Sequence, residues 1–472
     1  MAKVHTELKP TPTITARRLC LVVGGATLLT SMNFSLIFVA FGKISDTFGN
    51  SKVVPWALTG FSITSASLLV PAGWMADRFG RERMLLGGIW LFTVGSTLVA
   101  TSPWVGVLVA GRVVQAMGLV LESSAALPIL LDAFDPSRRA TVVGSLGATG
   151  GAAAAIGPVL GGALVDTIGW RATFALNVPI GLLLGLIVVR RLPMTRPQRS
   201  IAPPDLVGVG ALATGMAALV FAITQIKDWG LVDLRTAAVT TTSLAMLAMV
   251  VLRSKHHPDP VLHLPLLREP SYRRGVILNV LIAGTFAGTF LSFIRLLTTG
   301  WGYSTFRAGV AVAVVPLFGG PLSFVAGRIV DRHGPRVVIF PGALLIVAAG
   351  LIFSFSVTDK PNVFGLWLPV GSLYGIGVGF AHAACHAAAL RDVPNNRLGI
   401  GGAMSRIGME TGGIISVAVA VALVTSAEDP IAGVRRVTLL VSGICALGAA
   451  LSLRLPPSRP ANSPLQHPRE LA

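Results

Sequence analysis

Charged residues are scarce in this chain. Only 12% of its 472 residues are Asp, Glu, Lys or Arg, about half the share found in a typical soluble domain. Apolar residues make up 53%, and the mean hydropathy is +0.74. This composition excludes an ordinary soluble protein. It indicates a membrane protein, because runs of about 20 apolar residues are long enough to cross the hydrocarbon core of a bilayer.

Cysteine is also rare, and several chemical signatures are missing. Cys20, Cys385 and Cys445 lie far apart in apolar runs without CxxC spacing, so we interpret them as small apolar side chains in helices rather than as a disulfide framework. The sequence has no phosphate-binding glycine loop with lysine, which excludes an ATPase of that type. Because Ser, His and Asp show no hydrolase spacing, we predict that the protein is not an enzyme.

Basic residues outnumber acidic residues by 38 to 20, which gives a formal net charge of +18. In a soluble protein this excess would suggest a nucleic-acid partner, but here the basic residues lie in short connectors between apolar runs. They are concentrated in alternate connectors, which places both termini in the cytoplasm by the positive-inside rule. Arginine greatly outnumbers lysine, as in GC-rich bacterial genomes. We therefore predict a multi-pass protein of the bacterial inner membrane that binds no nucleic acid.

Fourteen apolar runs are separated by charged residues or by Pro and Gly. The first follows Arg17 and Arg18 and is too long for the apolar part of a signal peptide, so we interpret it as a membrane helix. The predicted spans 1 to 14 cover residues 17–41, 54–76, 84–102, 106–131, 140–165, 171–191, 205–226, 235–253, 273–298, 307–330, 336–356, 363–390, 397–425 and 434–454.

A repeated motif relates the two ends of the chain. The segment from Gly73 to Arg81 follows span 2, and a similar segment from Gly327 to Arg336 follows span 10; both contain G-x-x-x-D-R-x-G. Parallel repeats are a known transporter design. We therefore predict an all-α membrane protein of two six-helix bundles with spans 7 and 8 inserted between them. The predicted units are the N-terminal bundle, the inserted pair with a cytoplasmic linker, the C-terminal bundle and a cytoplasmic tail, over residues 1–199, 200–270, 271–456 and 457–472.

These motifs resemble the major facilitator superfamily. The segment from Gly73 to Arg81 is similar to that family's G-x-L-A-D-R-x-G-R-[KR] signature. Gly144 with G-P-V-L-G-G at 157–162 is similar to the antiporter motif of its drug exporters, and P-D-L-V-G at 204–208 to its fourteen-span branch. The resemblance covers nearly the whole chain. It implies two bundles that rock about a central cavity, with the proton gradient as the energy source and no cofactor.

The resemblance also implies two gates. Asp77 can pair with arginine or with a helix N-terminus near the inner end of span 2, although the loop has an alternative interpretation as a solvated topology signal. The predicted cytoplasmic gate comprises Gly73, Asp77, Arg78, Gly80, Arg81, Asp331 and Arg332. In span 5, small residues allow another helix to pack closely, and a proline bends span 5 itself. This segment is either a gate or an ordinary helix contact. The predicted periplasmic gate comprises Gly144, Gly157, Pro158, Gly161 and Gly162.

Charged residues within spans are candidates for function because they are costly to bury. Span 4 carries Arg112, Gln115 and Glu122, and the first two match the family's R-x-x-Q motif. Gln115 and Glu122 are seven residues apart and lie on nearly one face of a helix. A polar stripe of this kind cannot face lipid, so we predict that it faces the central cavity or another span.

Spans 12 and 13 supply the remaining polar candidates. Arg406 and Glu410 are spaced i, i+4 and can pair. An acid in mid-span can carry a proton, so Glu410, like Glu122, is a candidate for proton coupling or substrate contact; a static ion pair with Arg406 is the alternative. His382 and His386 are predicted to line the cavity, and the absence of further nearby ligands predicts no metal site.

Span 1 departs from the family pattern. Drug exporters of this branch usually carry an acid in L-D-x-T, where this chain has Asn33 in M-N-F-S. The side-chain amide of asparagine does not ionise at any accessible pH, so it cannot carry a proton in transport. Coupling must therefore depend on Glu122 or Glu410, or transport is not driven by protons. The change also argues against a cationic drug as the main substrate.

Together these features predict a monomeric secondary exporter that exchanges protons for lipophilic substrates. Few polar groups on apolar walls suit a lipophilic small molecule or lipid. The predicted partners are therefore the bilayer, such a substrate and protons. Three alternatives remain at this stage: an exporter or flipping transporter of an endogenous lipid or glycolipid, an uptake symporter, and a receptor or scaffold that transports nothing. The span-5 motif argues against uptake, and a receptor would not need Glu122 or Glu410.

Overall fold

The computed structural model describes residues 16–49, 53–133, 139–192, 205–230, 232–258, 260–391, 393, 398–427 and 429–455. Within these ranges all of the regular secondary structure is helical. The predicted tail over residues 457–472 lies outside them. The spans are numbered 1 to 14 in chain order.

Fourteen long helical segments lie within the described residues, in the order that the sequence predicts. Thirteen of them are long and apolar enough to cross a membrane; the other is Trp56–Phe79, whose many hydroxyl side chains lower its hydropathy. Spans 1 to 8 are Ala16–Thr47, Trp56–Phe79, Arg81–Ala100, Val105–Ala133, Arg139–Thr167, Trp170–Arg191, Leu206–Trp229 and Leu234–Arg253. Spans 9 to 14 are Pro270–Gly300, Thr305–Val330, Arg336–Ser356, Val363–Leu390, Leu398–Thr425 and Pro430–Ser452.

Two spans of the second half contain π-helical turns. Span 9 has two, Asn279–Ala283 and Leu296–Gly300, and span 12 begins with a third, Val363–Trp367. Such turns are rare and occur frequently at functional sites, because they displace the following side chains around the helix. The first of them begins at Asn279, a buried polar residue.

The two copies of the repeated motif end in the same kind of backbone turn. Gly80, between spans 2 and 3, has a φ of 101°, and Gly334, between spans 10 and 11, has a φ of 82°. Side chains other than that of glycine rarely tolerate these values. The matching turns agree with an internal repeat of the two bundles.

The two bundles are packed together at one end of the molecule. We call the end at which span 1 begins and span 14 ends the terminal end, and the other the opposite end. A large hydrophobic cluster joins spans 9 to 14 with residues of spans 1 to 6 that all lie toward the opposite end, such as Phe38, Phe41 and Leu58. Toward the terminal end, by contrast, the bundles have separate clusters, one around Leu85 and Leu130 and one around Tyr272.

Spans 7 and 8 form a hairpin that packs along the seam between spans 2 and 13. One hydrophobic cluster contains Ile63 and Ala66 of span 2, Leu212 and Met216 of span 7 and Ile414 of span 13. The inserted pair therefore contacts both bundles through apolar side chains.

Asp205, which precedes span 7, joins the two helices of this hairpin. Its carboxylate accepts a 2.8 Å hydrogen bond from the N–H of Gly208 and caps the helix. It also accepts three hydrogen bonds of 2.8 to 3.1 Å from the Arg253 guanidinium at the end of span 8. Burial by itself would raise the pKa of Asp205, but the bonds from Arg253 and Gly208 hold that pKa below its ordinary value.

Candidate functional site

Glu122 of span 4 faces span 1 and lies within electrostatic reach of the other bundle. Its side chain is 2% exposed, and Oε2 accepts a 3.2 Å hydrogen bond from the Thr30 hydroxyl. Oε1 is buried and has no hydrogen-bond partner among the residues that the structure describes. Arg406 of span 13 is close enough to attract the carboxylate electrostatically. Glu122 thus places an acid of the N-terminal bundle near a cation of the C-terminal bundle.

Arg406 interacts electrostatically with three titratable side chains. It acts electrostatically on Glu122 of span 4, on Glu410 one turn further along span 13, and on His386 of span 12. Among the residues that the structure describes, Arg406 forms no direct ion pair with a carboxylate. The static i, i+4 pair with Glu410 is therefore not formed. The guanidinium instead lies near two acids, one from each bundle.

The two histidines of span 12 have different surroundings. His386 is exposed, and its Nδ1 lies 3.1 Å from the Ser405 hydroxyl. Ser405 also accepts a 2.9 Å hydrogen bond from Asn279 Nδ2, at the first π turn of span 9. His382 Nε2 donates to the carbonyl of Ala283 at 2.9 Å. His382 is thus joined to span 9, while the ring of His386 remains open on one edge.

Arg112 and Gln115 are enclosed within the N-terminal bundle. Arg112 donates from Nε to the carbonyl of Ala57 at 3.0 Å and from Nη1 to Gln115 at 2.8 Å, and it lies over the ring of Phe61 at 4.2 Å. Gln115 donates to the Ser96 hydroxyl at 2.7 Å. The polar stripe of span 4 is therefore divided. These two residues face spans 2 and 3, which is one of the two predicted placements, whereas the acid further along faces span 1.

Asn33 pairs with a second amide inside the same bundle. It is fully buried, and its Oδ1 accepts a 3.2 Å hydrogen bond from Asn177 Nδ2 of span 6. Asn33 Nδ2 and Asn177 Oδ1 are buried without partners. Asn177 was not predicted as a partner from the sequence. The pair joins spans 1 and 6.

Four members of the predicted periplasmic gate lie at contacts with spans 1 and 10. A Cβ atom added to Gly161 would lie 2.7 Å from Leu36 of span 1, and one added to Gly157 would collide with Ser35. On the other side, a Cβ at Gly162 would lie 2.6 Å from the Thr305 carbonyl of span 10. Small residues therefore allow span 5 to pack on both bundles. Pro158 belongs to the same contact, because its carbonyl lies against Gly309 of span 10. The side-chain surroundings of Gly144 lie outside the described residues.

Asp166 strengthens this contact, and sequence reasoning missed it. Its carboxylate accepts hydrogen bonds from the backbone N–H groups of Thr305 at 3.1 Å and Phe306 at 2.7 Å. These N–H groups belong to the first turn of span 10, where an anion is favourable. The sequence around Asp166 gives no sign of this role, because the helix that Asp166 caps begins 139 residues later, at Thr305.

At the terminal end, the predicted gate residues surround the turn after span 2. Asp77 is 56% exposed and lies 3.6 Å from Arg81 at the start of span 3. Arg78 lies over the ring of Trp74 at 5.4 Å, and a Cβ at Gly73 would contact nothing within 4 Å. In the second copy Arg332 is exposed. The side chain of Asp331 lies outside the described residues.

Among the described residues, no group of three His, Cys, Asp or Glu side chains is placed to hold a metal ion. The polar residues near Arg406 thus form a site built from acids, one guanidinium and one imidazole. Such a set can exchange protons and can offer hydrogen bonds to a bound molecule.

Comparison with known proteins identifies the family. Residues 23–252 and 276–471 match the model of the Major Facilitator Superfamily. The chain is 28% identical over 435 residues to a multidrug resistance protein B homolog of Mycobacterium tuberculosis, covering 90% of this chain and 80% of the relative. It is 30% identical over 406 residues to the puromycin resistance protein pur8 of Streptomyces alboniger, covering 84% and 79%. It is 28% identical over 424 residues to the tetracenomycin C resistance and export protein of Streptomyces glaucescens, covering 89% and 76%.

A solved structure has the same fold. The human organic anion transporter MFSD10 (TETRAN) matches with a TM-score of 0.64 and 17% identity, covering 94% of this chain and all of that one. This match and the family match confirm the prediction of an all-α membrane protein with two six-helix bundles. The family match and the bacterial relatives confirm the prediction of a transporter rather than an enzyme. The chain is a multi-pass membrane protein that belongs to the major facilitator superfamily and is similar to the multidrug efflux members of that family.

Proposed function

We propose that this protein exports lipophilic compounds from the bacterial cell in exchange for protons, by alternating access between its two bundles. The observation that carries the proposal is the buried carboxylate of Glu122, which accepts a hydrogen bond from Thr30 in one bundle and lies within electrostatic reach of Arg406 in the other, where Arg406 also acts on Glu410. The names of the bacterial relatives, which refer to drug resistance and export, support the direction of transport.

The coupling follows from the cost of an uncompensated charge in a membrane. One guanidinium neutralises one carboxylate, and a second carboxylate in the same low-dielectric region must take up a proton or reach water. When the bundles rock, the distance from Arg406 to Glu122 changes, whereas Glu410 stays on the same helix as Arg406. Movement of the bundles thus determines which of the two acids holds the proton. Proton transfer is thereby coupled to the change in which end of the protein is open.

The packing of the bundles supports an assignment of the state. The bundles share a core at the opposite end and have separate cores at the terminal end. We propose that both termini are cytoplasmic, in accord with the positive-inside rule. The structure then corresponds to a state closed to the periplasm, and export requires separation of spans 5 and 10. The Gly157–Gly162 segment serves as the periplasmic gate and the Asp77 turn as the cytoplasmic one.

The remaining parts of the proposal follow from the same arrangement. The chain works as a monomer, because each bundle finds its partner within the chain, and the proton gradient is the energy source without a cofactor. We assign the N-terminal bundle, inserted pair and C-terminal bundle to residues 1–199, 200–270 and 271–456. Arg112 and Gln115 act on transport through the packing of span 4, whereas Glu122, Glu410, Arg406 and His386 act at the cavity.

Transport in reconstituted vesicles tests the proposal. Export of a lipophilic dye is measured with and without an imposed proton gradient, for the wild type, Glu122→Gln, Glu410→Gln and the exposed-loop control Asp359→Asn. We expect the gradient to accelerate wild-type and control export at least about tenfold, and either glutamine variant to lose that acceleration, because removal of an acid acting in proton transfer costs roughly two to four orders of magnitude in rate. Flux that ignores both the gradient and the two substitutions would contradict proton exchange.

A second candidate, export of an endogenous lipid, is favoured by Asn33, since the acid usual in drug exporters is replaced by a buried amide that faces Asn177. The same vesicles carry a fluorescent phospholipid to test it. Movement of that lipid at a rate above that of the dye would assign the protein to lipid export; movement of the dye alone would assign it to small lipophilic compounds.

A further inference from the structure

Three polar residues from three helices form a hydrogen-bonded relay beside Arg406. Asn279 Nδ2 of span 9 donates to the Ser405 hydroxyl of span 13, and that hydroxyl lies 3.1 Å from His386 Nδ1 of span 12. Asn279 and Ser405 are fully buried, while His386 is exposed. Buried polar residues in a membrane protein are costly and are retained where they support function. This relay therefore requires an explanation beyond packing.

The relay determines how the His386 ring is protonated when it is neutral. The Ser405 oxygen accepts from Asn279, and among the described residues His386 Nδ1 is the acceptor within reach of the single Ser405 hydrogen. We therefore assign the hydroxyl as the donor to Nδ1, which places the imidazole hydrogen on Nε2. In this arrangement His386 presents a hydrogen-bond donor on its open edge.

Arg406 supplies further donors at the same place. Among the described residues its guanidinium donates no hydrogen bond and forms no direct ion pair, although it acts electrostatically on His386. A guanidinium carries five N–H donors. Arg406 also acts electrostatically on Glu122 of the other bundle, and an uncovered polar edge of His386 against lipid tails would lack a partner. From these two points we infer that the Arg406 donors and the open edge of His386 face the space between the bundles.

We propose that His386 Nε2–H and the Arg406 guanidinium form a donor site for an uncharged acceptor oxygen of a lipophilic substrate, such as a carbonyl, and that Ser405 and Asn279 position His386 for it. The proposal rests on the exporter function above and narrows its substrate class. The other charged or titratable groups around the site are Glu122 of span 4, Glu410 of span 13 and His382 of span 12.

The geometry favours an acceptor over a permanent cation. A cation in this place would lie beside the positive charge of Arg406. In the proposed mechanism one of the two nearby acids is neutralised by Arg406 and the other by a proton, so neither is left to attract a cation. The acid of span 1 that would favour a cation is absent, since position 33 is an amide directed at Asn177. A carbonyl oxygen, by contrast, satisfies donors that otherwise remain unused in a low-dielectric region, where unpaired polar groups cost most.

Two probes with the same aromatic body test this site. One carries a methyl ester and the other a trimethylammonium group. Their apparent affinities are measured on purified protein in detergent, from the rise in unfolding temperature, which needs no proton gradient. Inhibition of dye export in vesicles gives a second measure of the affinity of each probe. The same assay gives the KM for the dye separately from its kcat. The variants are His386→Leu, His386→Gln, Ser405→Ala and the control Ser416→Ala, whose hydroxyl bonds to the carbonyl of Thr285 instead.

We expect His386→Leu to weaken binding of the ester about tenfold and to leave the ammonium probe within about twofold, because one hydrogen bond in a buried site is lost. His386→Gln restores most of the affinity, since its amide N–H reaches the position of Nε2. Ser405→Ala raises the inhibition constant of the ester without changing the kcat for the dye, and Ser416→Ala changes neither.

Three outcomes would overturn the donor site: unchanged ester affinity in His386→Leu, equal loss for both probes, or a wild-type preference for the ammonium probe. Failure of the exporter function itself is distinguishable, because it appears as gradient-independent export by the wild type, whatever the detergent measurements show. Gradient-driven export together with equal binding of both probes would retain the exporter and reject the site.

Discussion

The carboxylate of Asp166 in span 5 accepts a 2.7 Å hydrogen bond from the backbone N–H of Phe306 in span 10. This bond joins the two bundles at the opposite end, next to the segment where glycines bring the same two helices together. An acid that caps a helix of the other bundle stabilises the state in which the bundles touch there, and the bond must break when that end opens.

Substitution of Asp166 should therefore shift the balance between the two states. Loss of a helix cap costs about 1 kcal/mol, so we expect Asp166→Ala to lower the ratio of closed to open molecules about fivefold. Spin labels on cysteines introduced at the exposed positions Thr167 and Arg307 report the separation of the helices by electron–electron resonance. Asp166→Asn keeps an acceptor oxygen and should fall between the wild type and the alanine variant. Identical distance distributions in all three proteins would rule out a role in gating.

A glycine in the same contact gives a second prediction. A Cβ added at Gly162 would lie 2.6 Å from the Thr305 carbonyl and 2.7 Å from Phe306 Cα. Both are backbone atoms of span 10, which cannot rotate away as a side chain can. Gly162→Ala should therefore separate the two helices and populate the open state. We expect it to slow gradient-driven export at least about tenfold, since a tenfold change needs only about 1.4 kcal/mol.

The matched control is Gly443→Ala in span 14, where an added Cβ meets no atom within 4 Å. This change should leave export unaltered and slightly favour the helix. Export is measured in vesicles and the separation by the same spin labels. Equal behaviour of the two alanine variants would show that close approach of spans 5 and 10 is unimportant.

The spans could be predicted from the sequence because one physical constraint determines them. A bilayer requires about 20 apolar residues per crossing, and the arginines between the runs mark the boundaries. Span 2, Trp56–Phe79, is the weakest by composition, yet it was recognised as an apolar run at 54–76 with the repeated motif after it. The last glycine of each copy of that motif, Gly80 and Gly334, adopts a conformation that other residues avoid.

Contacts between distant helices could not be predicted in this way. Nothing in the residues around Asp166 indicates that they cap a helix in the other bundle. The polar stripe of span 4 was recognised, but a helical period alone cannot say that Arg112 faces Ala57 while Glu122 faces Thr30. The π turn that begins at Asn279 has no sequence signal that we recognised, so its bond to Ser405 emerged only from the fold.

The Asp205–Arg253 pair leads to a prediction about pH. Because the pKa of Asp205 is lowered in the folded protein, its contribution to stability is fully present above the ordinary pKa of an aspartate, about 3.9, and is lost as the pH falls through the lower folded value. Asp205→Asn should lower the unfolding temperature at pH 7. The difference from the wild type should shrink toward acidic pH, where both side chains are neutral.

The partner residue serves as the control for this pair. Arg253→Gln should lower the unfolding temperature at pH 7, and the double variant should lose less than the sum of the single losses, because the two changes remove one interaction. Since the Arg253 side chain is partly exposed, we expect the coupling between the two residues to be small. Additive losses, or a difference from the wild type that is constant with pH, would show that the pair does not stabilise the hairpin.

The amide pair of spans 1 and 6 separates a structural role of Asn33 from a coupling role. The single hydrogen bond from Asn177 leaves one donor and one acceptor unused in a buried position. Asn33→Leu leaves the amide of Asn177 without any partner and should cost about 1 to 3 kcal/mol, whereas replacing both residues by leucine removes both polar groups and should cost less than the sum of the single changes.

Asn33→Asp tests the coupling role directly. This position contacts Asn177 rather than Arg406, so the new carboxylate would be buried without a cation and should reduce stability. We expect the number of protons exchanged per dye molecule in vesicles to stay as in the wild type, since Glu122 and Glu410 are unchanged. An increase in that number, with stability retained, would show that an acid in span 1 can still take part in proton transfer. It would then be the amide of Asn33, and not the surroundings of that position, that prevents proton transfer there in the wild type.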